Sequence, residues 1–311
     1  MDNRADNVPG IDIEVDDLVR VRGQLSGLAL AASQRRASYR SGAREVHVRG
    51  RGMEYEESRA YVYGDDVRTM DWRVMARTGE AHTKIFAEEK QRRFLIAVDL
   101  SASMFFGTRF SFKSWAAAQV AAHAGWLASF AGDRIGGLIA SPDSHHEVRP
   151  GKTRSGLLGV FHQLAQVSKI DLPPDMTRNR LNFLLGELNR VVKPGSIIAL
   201  ITDFIGLDDQ SLEILSSIVK HNDVNAYWIH DDTEINTWPE GHYQVLVDQQ
   251  KVGFDLSGST SNAWLSQWQQ EHRNRIESLT SRFDIPLLPV SCNHEITPQI
   301  LNLSLIHISE P

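Results

Sequence analysis

The segment FLIAVDLSASMFFG, residues Phe94–Gly107, decides how the rest of the chain is interpreted. It begins with five consecutive apolar residues, a pattern typical of a strand that is buried on both faces of a parallel sheet. Three oxygen-bearing side chains, Asp99, Ser101 and Ser103, follow at alternate positions as the strand gives way to a loop. Alternate positions of an extended segment project to the same side. We therefore expect these groups to converge outside the carboxyl end of the strand, where open α/β sheets bind their ligands.

The ligand chemistry of this pattern favours a hard divalent cation. Oxygen ligands without a nearby thiolate or imidazole suit Mg²⁺, Mn²⁺ or Ca²⁺ rather than zinc or copper. The alternative is that Asp99 and the serines only cap the following helix, because Ser and Asp are preferred N-caps. A second buried strand, SIIALIT at Ser196–Thr202, also ends in an aspartate, Asp203. Two separate strands that each end in a carboxylate favour the metal site over capping.

Two sets of residues resemble known families. The pattern Asp99-x-Ser101-x-Ser103 after a buried strand resembles the metal-ion-dependent adhesion site of von Willebrand factor A domains. The upstream segments 59–72 and 84–89 resemble the bacterial family called domain of unknown function 58. Members of that family carry such a domain and are often encoded beside MoxR-type AAA+ ATPases. The resemblance covers roughly residues 40 to 290.

The resemblance implies a von Willebrand A-like, Rossmann-like α/β fold with a Mg²⁺ site, or one for Mn²⁺ or Ca²⁺. The implied metal ligands are Asp99, Ser101, Ser103, a threonine and, through water, Asp203. Thr177 is the best match for the threonine and Thr153 is a weaker one, although the glycine that usually neighbours this threonine is missing at Thr177. A plain helix cap is the other role open to Thr177.

The order of the predicted elements indicates the fold class and the domains. Helices alternate with strands after the central segment, which predicts right-handed crossovers and a mainly parallel sheet flanked by helices. We expect an N-terminal region with a smaller subdomain at residues 1–90, the main α/β domain at 91–292, and a tail at 293–311. Ser304–Pro311 fits nothing before it, and we interpret it as translated sequencing-adapter sequence rather than native protein.

Charged residues in the N-terminal region allow two interpretations. The arginine-rich segment from Arg35 to Arg51 is either a surface for an anionic partner or a solvated connector. The net charge of −6 over 311 residues favours the connector and does not indicate a nucleic-acid binder. Three aspartates, Asp65, Asp66 and Asp71, are predicted to hold a loop through hydrogen bonds rather than to form an acidic site.

Composition and cysteine count indicate the class of protein and its compartment. The chain is 41% hydrophobic and 23% charged, which is ordinary for a globular protein. The single cysteine, Cys292, excludes an intramolecular disulfide and fits a reducing compartment. The acidic N-terminal sequence has no signal-peptide pattern, and no apolar run is long enough to span a bilayer. We therefore expect a cytoplasmic protein without a membrane span.

Three functional hypotheses follow. The sequence has no Gly-x-Ser-x-Gly elbow, Walker phosphate loop or His-Glu-x-x-His helix, which favours a binding module over an enzyme. The metal of such a binding module would accept a carboxylate from a protein partner. The resemblance implies that this partner is a MoxR-type AAA+ ATPase or one of its clients, in assembly or maturation of other proteins.

The alternative is a metal-assisted hydrolase, which needs a base such as His145 or His230. In the third hypothesis the site is vestigial and the arginine-rich segment binds the partner.

Overall fold

The structure, a computed structural model, describes residues 8–25, 53–63, 65–88, 92–141, 144–169, 180–236, 238, 241–247, 250–255 and 259–301. The chain divides into a larger unit, residues 1–37 with 92–311, and a smaller unit, residues 38–91. In chain order the described helices and strands are α1 (Val15–Gln24), β1 (Met53–Ala60), α2 (Trp72–Thr78), β2 (His82–Glu88), β3 (Arg93–Asp99), α3 (Lys113–Ala131), β4 (Arg134–Ala140), β5 (His145–Gly151), α4 (Thr153–Val167), α5 (Arg180–Val191), β6 (Ile197–Thr202), α6 (Asp209–Val219), β7 (Asp223–His230), α7 (Asp232–Ile235), β8 (His242–Val247), β9 (Gln250–Asp255), α8 (Ser259–Arg282) and β10 (Leu287–Ser291).

A six-stranded sheet in the order β10-β7-β6-β3-β4-β5 forms the centre of the larger unit. Neighbouring strands run parallel, except that the edge strand β5 pairs antiparallel with β4. Strands β3 and β6, which the two predicted metal-site aspartates follow, lie side by side in the middle. The predicted α/β fold with a mainly parallel sheet is confirmed. Strands β8 and β9 pair antiparallel as a separate two-stranded sheet.

The sheet is buried on both faces, and strand β3 shows how. Ile96 and Val98 belong to a core cluster with residues of α1, α3 and α4. Leu95 and Ala97 belong to a second cluster with residues of α5, α6 and α8. Successive side chains of a strand point to opposite faces, so an unbroken apolar run is what a sheet with helices on both sides requires.

Two adjacent glycines in β4 allow close packing on this strand. A Cβ atom on Gly137 would lie 2.7 Å from Val160 Cγ2 of α4. A Cβ atom on Gly136 would lie 2.6 Å from the carbonyl oxygen of Val148 in β5. The close approach of a helix that the paired glycines predict is thus present at Gly137, while Gly136 admits the edge strand.

Helix α1 packs within the larger unit, although the predicted division assigned residues 1–90 to one N-terminal region. Leu18 and Val21 are buried in the core, and Trp126 Nε1 of α3 donates a hydrogen bond to the Leu18 carbonyl at 3.0 Å. The guanidinium of Arg22 lies 5.5 Å from the centre of the Trp126 ring. The boundary near residue 90 therefore separates the smaller unit from the main domain but does not separate α1 from it.

The C-terminal boundary also lies later than predicted. Residues 296–301 form a helix, and Ile296 and Ile300 of this helix are buried in the same core cluster as α1 and α3. The predicted tail at 293–311 therefore begins inside the main domain. Both terminal regions also hold the loop before α3: Phe112 N donates to the Gly10 carbonyl at 2.8 Å, and Ser111 N donates to the Cys292 carbonyl at 3.2 Å.

The smaller unit pairs β1 antiparallel with β2, and its aspartates stabilise the intervening loop. Asp71 accepts hydrogen bonds from two backbone amides of the first turn of α2 and from Ser58 Oγ at 2.8 Å. Asp65 pairs with Arg59 at 2.9 Å, and Asp66 accepts from the Arg68 amide at 3.0 Å. The structural role predicted for these aspartates is confirmed. The arginine-rich segment and Ser304–Pro311 lie outside the described residues.

Candidate metal centre

Asp99 is one of two deeply buried carboxylates in the candidate site. It is the last residue of β3 and is only 1% exposed. Its Oδ1 accepts a hydrogen bond from the Ser101 amide at 2.8 Å, and its Oδ2 accepts one from Thr202 Oγ1 at 2.9 Å. Thr202 ends the neighbouring strand β6, so the adjacent strand ends hold this carboxylate together.

The two serines connect Asp99 to Asp203. Ser101 Oγ lies 3.2 Å from Ser103 Oγ, and a short 3₁₀ turn at Ala102–Met104 holds this geometry. The Ser103 hydroxyl in turn hydrogen bonds to the Asp203 carboxylate. Four of the predicted ligands, Asp99, Ser101, Ser103 and Asp203, are thus brought together. Thr177 lies outside the described residues, as does the side chain of Thr153.

Asp203 is held from two sides. Its Oδ1 accepts from the Ile205 amide at 3.0 Å, and its Oδ2 accepts from Lys113 Nζ at 2.9 Å. The residue between, Phe204, is fully buried and has a φ of 58°, in the left-handed region that a bulky side chain rarely adopts. Because one oxygen of Asp203 pairs with the buried Lys113 ammonium, whereas the donors to Asp99 are neutral, Asp203 suits a metal contact made through water better than direct ligation.

Lys113 was missed by the sequence analysis. It is the first residue of α3 and is completely buried, with its ammonium bound to Asp203 and, at 2.5 Å, to Glu234 Oε1 of α7. No local feature of the sequence indicates its burial, because a charged residue at the start of a helix is normally solvated. Nothing in the sequence indicates its two partners, which lie 90 and 121 residues away.

The charges of these groups do not balance. Asp99, Asp203, Glu234 and Lys113, here called the four-charge cluster, carry three negative charges and one positive charge when ionised, a net charge of −2. Burial and the charge of Asp203 raise the pKa of Asp99 to about 6. Burial also acts to raise the pKa of Asp203, but the Lys113 ammonium together with the hydrogen bonds from the Ile205 amide and the Ser103 hydroxyl outweighs it and holds that pKa below its ordinary value. Unlike Asp203, Asp99 is a buried carboxylate that receives no hydrogen bond from Lys113.

The pKa values of Lys113 and Glu234 reflect the same contacts. Burial alone would lower the pKa of Lys113, but its two carboxylate neighbours raise it, so this lysine stays charged. Burial raises the pKa of Glu234 despite the bond to Lys113. Since a buried charge is costly unless it is paired, the cluster favours the arrival of further positive charge.

A second polar network lies at the end of β7, and its carboxylate is saturated. Asp231 accepts hydrogen bonds from the amide and hydroxyl of Thr108, the amide and hydroxyl of Thr233, and Asn293 Nδ2, at 2.7 to 3.1 Å. Burial acts to raise the pKa of Asp231, but these donors outweigh it and lower the pKa. Burial beside this carboxylate also raises the pKa of Cys292, which keeps the thiol protonated.

The donor set at Asp99 fits a hard divalent cation. The Asp99 carboxylate lies beside the hydroxyls of Ser101 and Ser103, and the Asp203 carboxylate bonds to Ser103. An ion with a charge of +2 would neutralise the four-charge cluster. Within the described part of the chain, no group of three or more His, Cys, Asp or Glu residues could hold a metal. The predicted site takes most of its protein ligands from hydroxyls and does not need such a group.

The histidines considered as bases have other environments. His145 Nε2 lies 3.4 Å from Glu187, and its ring packs against Phe183. His230 is buried, which lowers its pKa to about 4, and its Nδ1 has no hydrogen-bond partner among the described residues. A histidine not predicted at the site, His272, lies closer: its Nε2 is 3.0 Å from the Asp203 carbonyl, and its ring stacks on Trp268.

Comparison with known sequences identifies the family. The family described as "Protein of unknown function DUF58" matches residues 57–275. The chain belongs to the DUF58 family. Curated relatives of this DUF58 protein include "Uncharacterized protein Mb1516" of Mycobacterium bovis and "Uncharacterized protein Rv1480" of Mycobacterium tuberculosis. Each is 31% identical over 235 residues, which cover 76% of this chain and 72% of the relative.

Solved structures give weaker likenesses to this DUF58 protein. One is the conserved hypothetical protein BatB from Bacteroides thetaiotaomicron, with 11% identity and a TM-score of 0.39, covering 70% of this chain and 98% of that one. Another is an aerotolerance-related membrane protein from Bacteroides fragilis, with 13% identity and a TM-score of 0.37, covering 61% and 99%. Likenesses at this level carry no weight for function. Among the helices described here, none is both long and apolar enough to cross a membrane.

Proposed function

We propose that this DUF58 protein is a von Willebrand factor A-like protein-binding module whose contact with its partner depends on a divalent cation. The observation that carries the proposal is the convergence of Asp99, Ser101 and Ser103 beside Asp203, in a cluster with an uncompensated negative charge. Mg²⁺ is the expected ion, with Mn²⁺ and Ca²⁺ as substitutes. Asp99 and the two serines would hold it directly, and Asp203 would act through water.

The cation would leave a coordination position for a carboxylate of another protein. Mg²⁺ bound by few protein carboxylates keeps exchangeable waters, and an Asp or Glu side chain can replace one of them. We propose that this carboxylate belongs to a MoxR-type AAA+ ATPase or to a client presented to it. In this role the protein is a cytoplasmic adaptor in the assembly or maturation of other proteins.

Titration calorimetry tests the metal site. Mg²⁺, Mn²⁺ and Ca²⁺ are titrated into chelator-treated wild type and into Asp99→Ala, with Asp231→Asn as a matched control that alters a strand-end carboxylate outside the site. We expect binding by wild type and by Asp231→Asn, and a loss of at least about tenfold in affinity for Asp99→Ala. Unchanged affinity in a folded Asp99→Ala protein would contradict the proposal.

Partner binding is tested separately. The tagged protein and a MoxR-type ATPase from the same organism are mixed in Mg²⁺ and in chelator, with wild type and Asp99→Ala in parallel. Capture that needs both the metal and Asp99 is the expected result. Capture that is equal in chelator would show that the contact does not use the cation.

The hydrolase hypothesis is carried by no contact at the site. Neither His145 nor His230 hydrogen bonds to Asp99 or Asp203 in the described residues, and the histidine that does contact this region binds a backbone carbonyl. A panel of phosphoester and peptide substrates with Mg²⁺ or Mn²⁺ checks this alternative directly. Turnover that is lost in Asp99→Ala would favour it over the binding module.

A further inference from the structure

The ammonium of Lys113 is an internal cation beside the proposed metal site. It is completely buried at the start of α3 and is bound to Asp203 Oδ2 at 2.9 Å and to Glu234 Oε1 at 2.5 Å. Asp203 is 1% exposed, and the carboxylate of Glu234 is mostly buried. The same Glu234 also accepts a hydrogen bond from the Asp231 amide through Oε2 at 3.0 Å. Both partners of Lys113 are therefore fixed in place by the fold.

We infer that Lys113 is a positioning residue that keeps Asp203 as an outer ligand and gives the site a low affinity for divalent cations. The negative charge of Glu234 partly offsets this effect of Lys113. This inference rests on the proposed metal site. Lys113 occupies one oxygen of Asp203, so the incoming ion is left with Asp99 and the serines as direct ligands. Its positive charge repels the ion, and the negative charge of Glu234 offsets part of that repulsion.

Removal of the Lys113 charge and removal of the Glu234 charge are expected to change the affinity for a divalent ion in opposite directions. Removal of the Lys113 charge takes the four-charge cluster from a net −2 to −3, which strengthens its attraction for a divalent ion. Removal of the Glu234 charge takes the cluster from −2 to −1, which weakens that attraction. Removal of both charges restores −2. A purely structural role would lower metal affinity in both single variants, because damage to the site acts in one direction.

The experiment measures the dissociation constant of Mn²⁺ alone, by calorimetry, for chelator-treated wild type, Lys113→Met, Glu234→Gln and the double variant. We expect Lys113→Met to bind at least about tenfold more tightly and Glu234→Gln at least about tenfold more weakly. The double variant is expected within about threefold of wild type, since the charge is restored. Circular dichroism and thermal unfolding establish that each protein is folded.

The outcomes separate this inference from the proposed function. Wild-type binding with unchanged or weaker binding by Lys113→Met would overturn the role of Lys113 and leave the metal site intact. Absence of Mn²⁺ binding in all four proteins would overturn both. Replacement of a whole buried ion pair by neutral groups is often tolerated. If Lys113→Met alone does not fold, the comparison of Glu234→Gln with the double variant decides, and equal affinities of these two would contradict the inference.

Discussion

Asp99 is the last residue of β3 and Asp231 follows β7 at the same edge of the sheet, yet the structure surrounds them differently. Asp231 is saturated by neutral donors from three residues, and its pKa is lowered. Asp99 accepts hydrogen bonds from the Ser101 amide, the Ser101 hydroxyl and Thr202 and faces a second carboxylate, and its pKa is raised to about 6. The first network stabilises the charge it encloses, whereas the second leaves a charge that an external cation can compensate. The difference separates a carboxylate that holds the fold from one that is available for binding.

The largest expected effect comes from Asp231→Ala. This change leaves the buried donors of Thr108, Thr233 and Asn293 without their acceptor, and we expect a loss of about 3–5 kcal/mol in the free energy of unfolding. Guanidinium denaturation of the variant beside wild type measures it. If Asp231→Ala lost less stability than Asp99→Ala, with both measured in chelator, the comparison between the two carboxylates would be reversed.

Asp99→Asn is expected to stabilise the metal-free protein. The raised pKa means that the folded state holds the proton of Asp99 more tightly than the unfolded state does, so ionisation of Asp99 costs stability as pH rises from about 4 to about 6. At pH 7 in chelator the neutral variant should gain about 1–3 kcal/mol relative to wild type, and the gain should vanish below pH 4. Denaturation across this pH range in EDTA tests it; an equal gain at every pH would show that the charge is not the cause.

His230→Gln is expected to have a smaller effect that depends on pH in the opposite sense. Burial lowers the pKa of His230 to about 4, so the folded state resists its protonation, and stability is lost as pH falls from about 6.5 towards 4. Between pH 7 and pH 4.5 we expect the free energy of unfolding of the variant to fall by about 1–2 kcal/mol less than that of the protein with His230. The measurement is made in the Asp99→Asn background, where the titration of Asp99 no longer contributes. Parallel pH profiles with and without His230 would contradict it.

Thr202→Val gives the smallest predicted change and completes the comparison. It keeps the side-chain shape but removes one of the donors to Asp99 and the acceptor of the Phe204 amide. We expect a loss of about 1 kcal/mol in stability and a further rise in the pKa of Asp99, since its charge is less well solvated. Chemical denaturation measures the first effect, and NMR titration of the Asp99 carboxyl carbon measures the second. A lower pKa in the variant would show that Thr202 does not stabilise the charge.

The sequence predicted those features that depend on local pattern. The unbroken apolar runs of β3 and β6 indicated strands buried on both faces, and each strand end marked an aspartate at the correct edge of the sheet. Hydrogen bonding by Asp71 at the start of α2 followed from the same kind of local rule. In each case the residues that determine the structure are close together in the sequence.

Features that depend on distant contacts were not predictable in this way. A charged residue at a helix start is normally solvated, so Lys113 gave no sign that it would be fully buried beside Asp203. The donors to Asp231 come from residues as far apart as Thr108 and Asn293. The division near residue 90 failed for α1 because its packing on Trp126 joins segments 108 residues apart.

The loop before α3 has a practical consequence for any shortened version of the protein. Its amides bond to the Gly10 carbonyl near one end of the chain and to the Cys292 carbonyl near the other, immediately before Lys113. A fragment that starts at Arg92 would keep every predicted metal ligand and still lose Gly10. Loss of Gly10, which lies far upstream of the cluster in the sequence, would therefore loosen the helix start that places the Lys113 ammonium beside Asp203.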